Sequence, residues 1–303
     1  MKSLMLAVVV SSMMQGLVWA APLRVVTTTE DLAAIAREVG GPLIEVESLT
    51  RGVQDPHHLE ARPSLILKAS RADLFIEVGL ELEIGWVPAV LVAARNLRIQ
   101  PGGRGFLDAS SVIEPMEIPA SSVDRSQGDV HSLGNPHYLL DPGNGQRVAH
   151  AIAGKLTELL PERGEELARR EQAFVRALDE AIIRWNARMQ PYAGRSVVTY
   201  HQSWSYFLRA FKLEAAGYIE PKPGIPPSAA HLDQLIRQMK AKRIGFIIIE
   251  PYFSRSTPEL LVRETGAQLL VLPPAVGAEG VTTYHALFDT LVDRLTAAFG
   301  RGG

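Results

Sequence analysis

The chain has 303 residues, of which 47% are hydrophobic and 21% charged, with a formal net charge of -2. This is the balance of a soluble globular protein with length enough for two domains; it argues against disorder and offers no basic run for nucleic acid or an anionic membrane surface. The chain has no cysteine, which excludes disulfides, thiolate chemistry and a lipidated cysteine together.

At the start, Lys2 precedes an apolar run from Leu4 to Met14, and Val18-Trp19-Ala20 supplies residues a signal peptidase tolerates. Residues 1–20 therefore read as a signal peptide cleaved after Ala20. Ser11, Ser12 and Gln15 interrupt the run and argue against a retained anchor. The mature chain is expected to be a free extracytoplasmic protein.

Residues 21–160 read as an α/β lobe. Leu23 to Thr28 is β-branched and extended; the apolar spacing then becomes helical through Leu32, Ile35, Ala36 and Val39 and stops at Gly40-Gly41. Ile44 to Leu49 and Leu74 to Val78 are further strands, with helices predicted at Ser64 to Ala69 and through Ile84, Val87, Leu91 and Ala94. Strands alternating with helices predict a parallel sheet covered on both faces. From Gln100 to Asn135 the composition turns to Gly, Ser, Pro and Asp with little periodicity, which reads as one long loop. A helix through Val148, Ile152, Leu156 and Leu159 follows, with Asp141 as its cap or as a carboxylate that orients a nearby imidazole.

Residues 161–190 form the dividing element. Leu167, Phe174, Leu178, Ile182, Trp185 and Met189 share one helical face, charged residues fill the other, and Pro191 with Gly194 ends the run. Glu162 to Met189 predicts a rod about 42 Å long. Residues 191–303 repeat the alternation, with strands at Ser196 to Tyr200, Leu213 to Gly217, Ile244 to Ile249 and Gln268 to Leu272. Helices fall at Ser203 to Phe211, after Ser228, at Pro258 to Glu264 and at Leu287 to Phe299. The fold expected is therefore two lobes, each a parallel sheet flanked by helices, joined by one long rigid helix. Such a joint limits hinge opening, which leaves the 100–135 loop and the stretch after Pro273 as the expected moving parts.

In open parallel sheets ligands bind beyond the carboxyl ends of the strands. His57 lies in the loop after the second strand, His137 before Asp141, His201 directly after a strand, and Glu250 directly after another. A cleft between the lobes would be lined by these three imidazoles and a carboxylate, a natural tetrahedral site for zinc. More carboxylate would suit manganese, and sulfur would suit copper(I). His150, His231 and His285 read as ordinary helix residues; His58 and His131 flank the site.

The residues that carry this pattern resemble a known family, the zinc/manganese-type solute-binding proteins of bacterial ABC metal importers. They are Asp55-Pro56-His57 with Glu60 and Pro63-Ser64, Asn135-Pro136-His137 through Asp141-Pro142, Tyr200-His201 with Trp204, Tyr206 and Phe207, and Ile249-Glu250-Pro251 with Glu264-Thr265-Gly266. The resemblance implies a periplasmic monomer that binds a metal ion between its lobes and delivers it to a membrane permease, without being an enzyme. It implies His57, His137 and His201 as ligands, and a histidine at the third position looks zinc-type, with Zn2+ as cargo. The chain departs from the family pattern in two places. Leu272-Pro273-Pro274 stands where family members place an aspartate ligand, so Glu250 is the expected replacement, Glu220 the second choice, and water a third. The histidine-rich loop of many zinc-binding members is reduced here to His131.

Two other readings of the same residues stay open: a zinc hydrolase or hydratase with three histidines and an open water position, and a binding protein for a metal chelate or another transition metal. Because imidazoles bind metal only when neutral, affinity is expected to fall as the pH drops through about 6.5.

Overall fold

A computed structural model describes residues 21–120 and 128–301. The signal segment expected at 1–20 lies outside the described residues. The first sheet holds β1 (Leu23–Thr27), β2 (Ile44–Ser48), β3 (Leu74–Glu77) and β4 (Phe106–Asp108), all parallel and in the order β2-β1-β3-β4. The second holds β5 (Ser196–Thr199), β6 (Glu214–Tyr218), β7 (Phe246–Ile249) and β8 (Gln268–Val271), in the order β6-β5-β7-β8. Both sheets thus run second, first, third, fourth, and each changes direction beside its first strand. That reversal opens a crevice at the carboxyl ends, where loops can hold a ligand.

β7 is buried at all four positions, as its Phe-Ile-Ile-Ile sequence demands of a central strand covered on both faces. β4 lies inside the stretch that reads as a loop from Gln100 to Asn135. Its Phe-Leu-Asp sequence is too short to show alternation, and pairing with β3 makes it a strand.

The dividing helix, α5 in chain order, spans Gly164–Met189 and is 26 residues long, about 39 Å at the α-helical rise. It is preceded by a single tight turn at Pro161–Arg163. Leu167, Phe174, Leu178, Ala181, Trp185 and Met189 are buried, whereas Ile182 is only half-buried and Ile183 is 70% exposed. Its apolar face meets α1 (Glu30–Gly40) and α4 (Pro142–Leu159) of the first lobe and α9 (Tyr284–Arg301) of the second. The Trp185 indole N–H donates to Asp289 on α9 at 2.7 Å.

One hydrophobic core consequently runs through both lobes, from Leu32 and Ile35 through Leu156 and Leu178 to Phe288 and Leu295. Two smaller cores close the outer faces, one around Phe75, Trp86 and Leu91, the other around Leu235, Ile247 and Leu261. Each large side chain buried in such a core contributes about 1.5–3 kcal/mol. Sharing the largest core makes the lobes one packed body, a stronger restraint than a helical strut alone.

The stretch after Pro273, expected to move, is pinned. The Val276 N–H donates to Asp31 at the start of α1, and Gly52 lets the backbone at Val276 and Ala278 approach closer than a Cβ would allow. No helix among the described residues is long and apolar enough to cross a membrane.

Candidate metal centre

Three histidines meet in the crevice. His57 follows β2, in a loop held by the Trp86 indole N–H donating to the Pro56 carbonyl at 2.9 Å. His137 is set by its own backbone N–H, which donates to the Asn135 side chain at 2.9 Å. Asn135 in turn donates to Glu117 at 2.7 Å and to the Gln202 carbonyl at 2.8 Å, tying the first lobe to the turn that carries His201. His201 leaves the end of β5, where the Thr199 hydroxyl donates to its carbonyl at 2.7 Å.

The ring centroids form a nearly equilateral triangle, with His57 5.1 Å from His137 and 5.3 Å from His201, and His137 5.3 Å from His201. One nitrogen from each ring lies within 4.8 Å of the others. The Nε2 atoms of His57 and His137 are buried without a hydrogen-bond partner. Burying such an atom unpaired costs on the order of 1–3 kcal/mol, which a ligand at the triangle's centre would offset.

The opposite ring nitrogens are anchored on carboxylates. Asp55 Oδ1 lies 2.7 Å from His57 Nδ1, and Glu220 Oε2 lies 2.8 Å from His201 Nδ1. Glu220 is itself fixed by the Gly224 N–H at 3.1 Å. A carboxylate on Nδ1 places the proton there and leaves Nε2 with its lone pair toward a metal. Burial by itself would raise the Asp55 pKa, but the hydrogen bond and charge of His57, with the His57 backbone N–H, hold it down at about 2. His137 is pushed well below its ordinary 6.5 by burial and then by the neighbouring imidazoles of His57, His201 and His131. It therefore stays neutral and able to ligate.

The structure does not bring Glu250 into this group. Its carboxyl is fully buried at the end of β7, where Oε1 accepts from the Ser203 hydroxyl at 2.5 Å and the Trp204 indole at 3.1 Å. Burial, opposed by these hydrogen bonds, raises its pKa to about 8. Its Oε1 therefore braces the turn after His201, while Oε2 is buried with no hydrogen-bond partner. Glu220, the second choice as ligand, contacts the imidazole instead. Asp141 does not orient an imidazole: its Oδ1 accepts from the Gly143 N–H at 2.9 Å as a helix cap, and its Oδ2 pairs with Arg209 at 3.0 Å. Pro273 is buried, and Pro274 and Ala275 share a small cavity with Asp31, His137 and Tyr252.

The histidines read as ordinary helix residues behave as such. His150 is exposed, His231 Nε2 meets the Tyr218 carbonyl at 2.9 Å, and His285 packs edge-on against Phe174. His131 was a weaker signal in sequence, yet its ring stacks on His57 at 5.3 Å.

Residues 25–298 match the sequence profile of a family described as the periplasmic component A of zinc-uptake complexes. The iron-binding protein YfeA of Yersinia pestis is 28% identical over 289 residues, 92% of this chain and 86% of that protein. The high-affinity zinc uptake system protein ZnuA of Yersinia pestis is 25% identical over 261 residues, 82% of each chain. A crystal structure of ZnuA superposes with a TM-score of 0.77 at 25% identity, covering 91% of this chain and 99% of the other. With nearly its whole length matched and the same two-lobed fold, the chain belongs to the family of periplasmic zinc-uptake components, the metal-binding proteins of ABC importers.

Proposed function

We propose that the protein captures a zinc ion between its lobes and hands it to the permease of an ABC importer, with no chemical step. The observation that carries this reading is the convergence of three imidazoles with two buried, unpartnered Nε2 atoms. His57, His137 and His201 are the proposed ligands, with Asp55 and Glu220 holding two of them in the ligating tautomer. A nitrogen donor set suits zinc, whereas manganese and iron(II) sites draw more on carboxylate. One relative is named for iron and the other for zinc, so the metal has to be tested by competition.

The test is to unfold the mature chain in chelator, refold it metal-free, add zinc and count bound metal. One zinc per chain that survives competition from iron(II) and manganese(II) supports the reading. Substoichiometric zinc, or displacement by either competitor at equal concentration, overturns it. Delivery predicts that the loaded protein stimulates ATP hydrolysis by its own importer reconstituted in vesicles.

A further inference from the structure

The three-histidine group leaves a fourth position to fill; Glu250 stands outside that group, and Pro273 carries no ligating side chain. Oε1 of Glu250 is engaged by Ser203 and Trp204, while its Oε2 is buried with no hydrogen-bond partner. Residues 128–132 cross the mouth of the crevice and are tied to both lobes. On the second lobe, the Asp129 N–H donates to the Pro223 carbonyl at 2.8 Å, and a Cβ on Gly128 would collide with that carbonyl. On the first, Asp129 faces His58 at 3.3 Å, and Glu81 accepts both the Ser132 N–H at 2.6 Å and its hydroxyl at 2.8 Å.

The Glu81 tie is costly in backbone terms. Leu80 and Glu81 adopt φ values of 49° and 65° directly after Gly79 at 80°, a left-handed run that non-glycine residues avoid. Such strain persists where the surrounding structure over-determines it, and it clusters at ligand clamps. What the strained turn holds is the residue beside Ser132. His131 stacks on His57 with the same 5.3 Å centroid spacing that separates the proposed ligands. It lines one cavity with His57 and another with His137 and His201.

Building on the metal-capture reading, we propose that His131 is the fourth protein ligand of the bound metal, delivered by this strap. Its nitrogens stand outside the 4.8 Å group of the other three, so ligation draws this one ring inward while the ties at Asp129 and Ser132 hold the strap. Charge agrees with a neutral fourth ligand. Asp55 and Glu220 already place two carboxylates behind the imidazoles, enough to balance a divalent ion. Four nitrogens would also sharpen the preference for zinc over oxygen-seeking ions.

The experiment counts imidazoles. X-ray absorption at the zinc edge of the wild-type protein should resolve four, and His131→Ala or His131→Gln should resolve three. The cobalt(II) protein should show the intense visible bands of a four-coordinate site, altered in both variants and unchanged in His150→Ala. Zinc affinity should fall on the order of tenfold or more in the His131 variants, with one zinc still bound per chain. Three imidazoles in the wild type, or cobalt spectra of the His131 variants superimposable on it, overturn the fourth ligand while leaving the capture reading intact. A wild-type protein that binds no stoichiometric zinc overturns both.

Discussion

Asp31 and Val276 are 245 residues apart, and the Asp31 carboxyl accepts the Val276 N–H at 2.9 Å. This bond joins the first turn of α1 to the segment after β8, so it clasps the two lobes beside the metal crevice. Burial, only partly opposed by the Val276 hydrogen bond, pushes Asp31 up to about 7 from an ordinary 3.8. The folded protein therefore holds a proton that the unfolded chain releases. The contribution to stability is complete below about 3.8 and is lost as the pH rises toward 7. Asp31→Asn keeps an acceptor for Val276 but removes the titration. The drop in melting temperature of the metal-free protein between pH 5 and pH 8 should be smaller in Asp31→Asn than in the wild type. Parallel curves would mean that Asp31 is ionised in the fold.

Single alanine substitutions at His57, His137 and His201 should each weaken zinc binding by on the order of a hundredfold, because each removes a proposed ligand. His285→Ala should leave affinity within about twofold, since that ring packs on Phe174. Titration against a zinc-chelating dye reads both. Equal losses at His201 and His285 would break the proposed site.

The carboxylates behind the imidazoles are predicted to matter without touching the metal. Asp55→Asn and Glu220→Gln keep size and lose charge, which frees the tautomer of His57 and His201. Each should cost about 10–100-fold in zinc affinity. The cobalt(II) spectrum should keep its band positions, because the ligand set is unchanged. A shifted spectrum would make either residue a ligand.

The shared core predicts cooperative unfolding. Leu178 on α5 is fully buried, while Ile183 on the same helix is 70% exposed. Leu178→Ala should cost about 2–5 kcal/mol, and Ile183→Ala about 0.5 kcal/mol or less. Denaturant melts followed by fluorescence and by far-UV circular dichroism should coincide for the wild type and Leu178→Ala. Separate transitions for the two lobes would contradict a core that spans them.

Local periodicity carried most of the architecture. A face of apolar residues every three or four positions sufficed to place α5, and short β-branched runs placed β1, β5 and β7, because burial demands those patterns whatever the rest of the chain does. The three histidines were legible for a related reason. Each sits where a strand or loop ends at the carboxyl edge of a parallel sheet, and that edge is where such folds bind.

Other features depended on groups that meet only after folding. β4 is a strand because β3 pairs with it. Glu250 follows a strand just as His201 does, and only the packed chain shows that it stands outside the histidine group, with Oε1 held by the Ser203 hydroxyl and the Trp204 indole. Glu220 and Asp141 were both plausible carboxylates; a 2.8 Å contact to His201 selects Glu220, while Gly143 and Arg209 claim Asp141. The Asp31 clasp and the placement of His131 over His57 span separations that no periodicity encodes. Sequence thus determined the elements and the residue types that could ligate, since these follow from local burial and side-chain chemistry. Tertiary structure alone decided which carboxylates face the imidazoles and which ring stacks on His57, because contacts between distant segments exist only in the packed chain.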